Sequence, residues 1–166
     1  MVAFGFRGPR FVAASAEALS LGSALAYSSS QVASHRLFEL DSLRPHERVI
    51  PPYLELLTRE IADDGVLKYA IAIDAGTRTI LDGHHRCHAL RRLGCSLIPA
   101  VAVDYSDPGI RVGAWRRSEV VSKEDVLRAG LSGRLLPPKT SRHFFPFPPL
   151  RVDVPLPALK RCECAR

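Results

Sequence analysis

Apolar positions fall into short blocks whose spacing alternates between two and about three and a half. Leu37, Phe38 and Leu40 predict a first strand over Leu37–Leu40. Asp41–Pro51 follows as a loop, because Pro45, Pro51 and Pro52 break regular structure. Pro52 suits the first turn of a helix whose Leu54, Leu57 and Ile61 recur at helical spacing, and Gly65 predicts its end. Ile71 and Ile73 alternate as a strand, Asp74–Thr77 turns, and Thr79–Leu81 returns as a strand. A helix starts at once, with Ala89, Leu90 and Leu93 on its apolar face and Gly94 at its stop. Ile98–Tyr105 predicts a strand with Val101 and Val103 on one face. Asp107-Pro108-Gly109 then turns into another strand over Ile110–Trp115. Ser122 followed by Asp125 forms a capping-box arrangement for a helix that carries Val126, Leu127 and Leu131 and closes at Gly133. From Pro137 the chain reads as irregular and Pro-rich, with Phe144, Phe145 and Phe147 available to pack it on the body. The sum is an α+β domain over residues 37–157: a mixed sheet with helices and an irregular Pro-rich C-terminal wrap. Residues 1–36, rich in Ala and Ser, read as a poorly ordered extension, and 158–166 as a tail.

Composition narrows the class without choosing a partner. A chain of 166 residues, 46% hydrophobic, can bury one real core, and its apolar runs are too short and too interrupted for a membrane helix. Glu17 breaks what would be the apolar centre of a signal or transit peptide. The formal net charge of +6 leaves nucleic acid, an acidic membrane or a small polyanion such as a nucleotide open. Most of the excess lies late: residues 111–166 hold 12 Lys/Arg against 5 Asp/Glu, a net of +7, but scattered as a solvated surface would have them. The four cysteines do not form a secreted disulfide framework. Cys162 and Cys164 supply half the ligands of a structural zinc site, without a partner pair at suitable spacing. The expectation is a cytoplasmic protein with reduced thiols.

The densest chemistry lies in Thr79–Leu93, where a strand runs through Asp82-Gly83 into His84-His85-Arg86 and a helix. A helix start binds anions through its free amides and the positive end of its dipole, and Arg86 adds a planar cationic fork. The elbow therefore reads as a phosphate site beside an acidic or metal-binding carboxylate, Asp82. A transition metal on neighbouring His84 and His85 is awkward, because consecutive side chains diverge on a helix. Three further places stand out. Glu47, in Arg44-Pro45-His46-Glu47, is a solvated loop carboxylate or, held near a hydroxyl, a general base. Trp115, followed by Arg116 and Arg117, is a core aromatic or the wall of a ligand pocket. Lys139-Thr140-Ser141-Arg142-His143, after Pro137-Pro138, is a solvated linker or a pinned anion-binding loop. Neither G-x-x-x-x-G-K-[ST] nor G-x-G-x-x-G occurs.

Asp82-Gly83-His84-His85-Arg86 opening a helix, closed by Leu93-Gly94 and followed by Ile98-Pro99 and a strand to Asp104-Tyr105, resembles the ParB/sulfiredoxin-like fold. Within that superfamily the chain resembles the free L-serine kinases of the SerK type. Five motifs carry the resemblance in order from Arg44 to His143: the Arg-Pro-His-Glu loop, the elbow, Val-Asp-Tyr, Trp-Arg, and Pro-Pro-Lys-Thr-x-Arg-His. Ser141 stands where the family often has a second Thr, so the hydroxyl survives. The resemblance implies phosphoryl transfer from ATP or ADP to the hydroxyl of free L-serine, with a product that could feed cysteine biosynthesis. It implies Glu47 as base and Asp82 holding Mg²⁺ or sharing that role. Gly83, His84, His85 and Arg86 would receive the nucleotide phosphates. Trp115, Lys139, Thr140, Ser141, Arg142 and His143 would shape the amino-acid side. Sulfiredoxin chemistry needs a cysteine where His84 stands. A ParB-like nucleotide-dependent DNA-binding or nuclease protein is the alternative; its affinity for nucleic acid would fall steeply with salt.

Overall fold

The computed structural model describes residues 34–116 and 118–161. In chain order the elements are β1 (Arg36–Glu39), α1 (Pro51–Asp64), β2 (Val66–Tyr69), β3 (Ile71–Asp74), β4 (Ile80–Asp82), α2 (His84–Arg92), β5 (Leu97–Val103), β6 (Arg111–Ala114), α3 (Lys123–Ser132), β7 (Ser141–Phe144) and β8 (Arg151–Pro155). The 3₁₀ turns Leu40–Ser42 and Leu156–Leu159 complete them. Four strands form the central sheet in the order β1-β5-β3-β4, with β3 and β5 parallel and both flanking pairs antiparallel. The parallel pair is covered on both faces, as such pairs usually are. Every residue of β3 is buried. Alternation sends Ile71 and Ile73 into one core with Leu54, Ile61, Ile80, Leu90, Ile98 and Leu159. It sends Ala72 to the opposite face, with Val101, Val103, Tyr105, Ile110 and Val126. Each aliphatic side chain so buried contributes about 1.5–3 kcal/mol.

Local signals explain the helix ends. α1 begins on two prolines and stops at Gly65, at φ +68°. α3 begins in a complete Ser122–Asp125 capping box and stops at Gly133. A Cβ on Gly130 would come within 2.7 Å of the Thr79 side chain, so α3 lies on the β3–β4 hairpin only because a glycine is there.

Three sequence readings change. Val66–Tyr69 is a strand, β2, which pairs with β8, and Ser141–Phe144 is a strand, β7, which pairs with β6. The chain after Pro137 is therefore not irregular throughout. Its partners lie far off in sequence, and the prolines between its strands hide the alternation of half-buried Val152 and Val154. Phe145 and Phe147 pack on the second core, but Phe144 and Leu131 are exposed. The extension up to residue 33 and the tail Cys162-x-Cys164 lie outside the described residues. No described helix is long and apolar enough to cross a membrane.

Candidate active site

Glycine makes the elbow possible. Gly83 sits at φ +101° between β4 and α2. A Cβ there would lie 2.3 Å from Ile71 Cγ2. This close approach lets the chain pass from strand to helix without a loop. α2 then starts with no side-chain cap, and its first-turn amides of His84, His85 and Arg86 bond no described group. These orphan donors lie at the positive end of the helix dipole, an arrangement that suits an anion.

The elbow side chains are occupied with the protein itself. Arg86 Nη1 donates to the carbonyls of Tyr69 (3.2 Å) and Ala70 (2.6 Å), and Nη2 to Asp82 Oδ2 (2.5 Å). Its fork is thus a brace under the elbow. His84 Nε2 accepts from the backbone N–H of His46 (3.3 Å), and His85 Nε2 accepts from that of Ile50 (2.9 Å). Burial holds both imidazoles below their ordinary value, His84 most strongly, with the neighbouring His46, His143, His85 and His88 adding to the effect there. They are neutral acceptors that latch the loop before α1 onto the elbow. Asp82 keeps Oδ1 clear of any hydrogen bond among the described residues.

His46 completes the latch. It is fully buried, and its Nδ1 lies 2.6 Å from the Ile80 carbonyl oxygen. Ring and backbone together thus grip residues 80 and 84 on either side of Asp82. The loop also adds short bridges: Arg44 N–H donates to the Arg78 carbonyl, and Leu136 N–H to that of His46. The sequence reading did not place His46 among the site residues. Its position beside Glu47 in a Pro-stiffened loop was the signal available.

Glu47 is held from the other side. Oε1 accepts from Lys139 N–H (2.5 Å). Oε2 accepts from the N–H groups of Thr140 (3.2 Å) and Ser141 (3.0 Å), and Ser141 Oγ lies 2.9 Å away. Lys139 takes a left-handed backbone, φ +56°, and Thr140 Oγ1 donates to the Pro137 carbonyl, so the three amides converge on the carboxylate. Glu47 is thus a half-buried carboxylate pinned by the loop rather than one bonded to solvent alone. Oε1 has one hydrogen-bond partner among the described residues against three on Oε2, so Oε1 keeps a lone pair open.

The same loop sends its charged side chains outward. Arg142 lies 4.8 Å and Lys139 5.9 Å from the Trp115 ring centroid, and Trp115 is 53% exposed. Trp115 is therefore no core aromatic but part of a cation-lined surface. His143 turns inward, its Nε2 2.7 Å from the Tyr105 hydroxyl. Its pKa is pushed down to about 3 by burial and by His46, while Asp82 opposes the shift. Tyr105 is the second group that sequence reading missed as part of the site. Cys87, inside α2, is buried with its thiol pushed up to about 12, which leaves it inert. An open cavity of about 690 Å³ is bounded by Arg36, Phe38, Arg44, Thr77 and Arg78, and none of the candidate residues lines it. Among the described residues no group of three His, Cys, Asp or Glu side chains could hold a metal ion.

The chain is similar to known proteins in both sequence and fold. A free serine kinase mutant in complex with AMP superposes with a TM-score of 0.70 at 19% identity, over 76% of this chain and 94% of that one. The fold is that of the free serine kinases. It is the ParB/sulfiredoxin-like architecture, a mixed sheet with helices. In sequence the chain is 32% identical over 83 residues to an ATP-dependent L-serine kinase of Staphylothermus marinus, covering 48% of this chain and 33% of the relative. It is 31% identical over 81 residues to the ADP-dependent L-serine kinase SerK of Thermococcus kodakarensis, covering 46% and 34%. A ParB-like protein of Sulfolobus acidocaldarius is 37% identical over 86 residues, covering 52% and 42%. The match thus spans about a third of the length of the two kinases. No family model matches the chain.

Proposed function

We propose that this chain transfers a phosphoryl group from a nucleotide to the hydroxyl of free L-serine, giving O-phospho-L-serine, and that residues 37–157 carry the reaction. The observation that carries this reading is the setting of Glu47. Three backbone amides orient its carboxylate, Oε1 keeps a lone pair open, and His46 ties its loop to the uncapped start of α2. A base and a phosphate cradle are thereby fixed to one another, and positioning of this kind supplies most of the rate in phosphoryl transfer. The names of the Staphylothermus and Thermococcus relatives support serine as acceptor and both ATP and ADP as candidate donors.

In this mechanism Glu47 Oε1 takes the hydroxyl proton as the serine oxygen bonds to the terminal phosphorus and the bond from that phosphorus to its bridging oxygen breaks, so that ATP would leave as ADP, or ADP as AMP. The amides of His84, His85 and Arg86, made accessible by Gly83, hold the donor phosphates. Asp82, with one carboxylate oxygen clear of any hydrogen bond among the described residues, is the group that would hold Mg²⁺, a hard cation that would supply charge neutralisation for the donor phosphates. Lys139, Thr140, Ser141, Arg142, His143 and Trp115 shape the amino-acid side. The imidazoles His46, His84, His85 and His143 stay neutral near pH 7, so positive charge comes from the helix start, Lys139 and Arg142. Free serine and nucleotide are cytoplasmic metabolites, and two buried free thiols, Cys87 and Cys95, suit that compartment.

The test is phosphoserine formation from L-serine and Mg²⁺ with ATP and ADP in parallel, for wild type and Glu47→Gln. We expect product with at least one donor and a loss of roughly 10²–10⁴ in kcat in the variant, as for removal of a general base. Absence of product with both nucleotides sinks the reading.

A further inference from the structure

Proton counting around Ser141 points to a second task for this loop. Its hydroxyl lies 2.8 Å from His46 Nε2 and 2.9 Å from Glu47 Oε2. His46 Nδ1, 2.6 Å from a carbonyl oxygen that can only accept, must carry the ring proton. Nε2 of the neutral ring is then a bare acceptor. Oε2 of the Glu47 carboxylate is also an acceptor, and Ser141 has one hydrogen to give. Two acceptors therefore compete for one donor.

We infer that Ser141 and His46 form a hydrogen-bond switch that follows the protonation of Glu47. With Glu47 ionised, the Ser141 hydroxyl donates to Oε2, because a charged acceptor makes the stronger bond. Once Glu47 takes a proton on Oε1, Oε2 becomes a weak acceptor, and the hydroxyl turns to His46 Nε2. No covalent bond changes at Ser141 or His46; only the O–H rotates. The consequence concerns the base. A donor fixed on a carboxylate stabilises its charged form and weakens it as a base. A donor with an alternative partner keeps a bond in both states, so it orients the carboxylate while opposing proton uptake less than a fixed donor would. His46 and Ser141 are thus positioning residues that act through Glu47. The surroundings suit a neutral His46. Its ring meets His84 of α2 at 4.5 Å and His143 of β7 at 5.7 Å, both neutral, and burial holds its own pKa below the ordinary value. Glu47 itself is felt by His85, and Lys139 contributes the amide on Oε1.

The proposal rests on Glu47 being the base, yet its first test needs no activity. The imidazole ¹⁵N resonance of His46 Nε2 is followed in uncomplexed wild type and in Glu47→Gln, whose amide imitates the protonated side chain. In wild type near pH 7 we expect the shift of an unbonded ring nitrogen, moving upfield as Glu47 is protonated. In Glu47→Gln the upfield position is already present at pH 7 and holds for as long as His46 stays neutral. Equal Nε2 shifts in the two proteins at pH 7 overturn the switch. The kinetic test uses the acid limb of kcat. Ser141→Ala removes a donor from the ionised form, so the limb should move to higher pH by roughly 0.5–1 unit. Removing the alternative acceptor with His46→Phe leaves the hydroxyl locked on Glu47, so the limb should move to lower pH. Ser141→Thr should restore the wild-type profile. Should His46→Phe fail to fold, the Ser141 pair and the resonance still decide. A purely structural role predicts a common loss of kcat and an unmoved limb, which would also overturn the switch. Phosphoserine formation by wild type is scored separately, so failure of the kinase reading is told apart from failure of the switch.

Discussion

In the Asp82–Arg86 elbow the side chains face the protein and the backbone amides are left over. In the Lys139–His143 loop the backbone amides are taken, by Glu47, and the cationic side chains are left over on Trp115. Both segments look alike as strings of anion-binding residue types, yet one offers ligands its backbone and the other its side chains. The difference follows from what each must do locally. A strand that turns into a helix without a loop needs its side chains as braces. A loop that pins the Glu47 carboxylate spends its amides on it. Residue type names a capacity; the local backbone decides whether that capacity is free.

The elbow's half of this comparison breaks most completely at Gly83. Gly83→Ala must hold an L-residue at φ +101° and place Cβ 2.3 Å from Ile71 Cγ2. Strain and overlap together should cost about 3 kcal/mol or more. Gly65→Ala is the control: φ is +68°, but nothing lies within 4 Å of the new Cβ, so only the backbone cost of about 1 kcal/mol applies. Urea unfolding of the two variants checks the order. A cost at Gly83 no greater than that at Gly65 would mean the elbow can relax, and that its amides are not rigidly presented.

Arg86 sharpens the comparison. As a brace it serves the resting protein, so Arg86→Lys should lose about 1–3 kcal/mol of stability without nucleotide, while the rise in Tm on adding ADP changes little. If the guanidinium bound phosphate instead, the pattern would invert, with stability unchanged and the nucleotide shift lost. Thermal melts with and without ADP separate the two.

Much of the fold was legible because its signals are local. The Pro51-Pro52 start and Gly65 stop of α1, the Ser122–Asp125 box, and the alternation of Ile71 and Ile73 each act within a few residues. β2, β7 and β8 were not legible, because each short strand exists only through a partner distant in the chain. The site divides in the same way. Residue types singled out Asp82, Glu47 and the 139–143 loop as candidates, but left the last two open between a solvated and a functional reading, and only the family resemblance gave them roles. The grip of His46 on Ile80 and His84 spans more than thirty residues and leaves no local trace. The role of Arg86 as a brace was equally hidden, since the carbonyls it binds, at residues 69 and 70, have no sequence signature.

His143, like Ser141, departs from the pattern of its loop, since its side chain faces inward as the elbow's do, and that gives the mildest test of the comparison. Burial first, and then His46, push its pKa from the ordinary 6.5 to about 3, so the folded protein keeps it neutral where the unfolded chain would protonate it. The sign follows from linkage: between pH 6.5 and about 3 the unfolded state binds more protons, so stability falls as pH drops through that window and is unaffected above it. One such histidine contributes a slope of about 1.4 kcal/mol per pH unit at most. His46, His84 and His85, shifted in the same direction, steepen the fall. His143→Gln keeps a partner for the Tyr105 hydroxyl while removing one titrating group. Unfolding free energies measured from pH 4 to 7 should therefore fall less steeply in the variant, by close to one proton. An unchanged slope would mean that His143 titrates normally in the folded state, as a loop residue facing water does, and that the inward side of this loop is open.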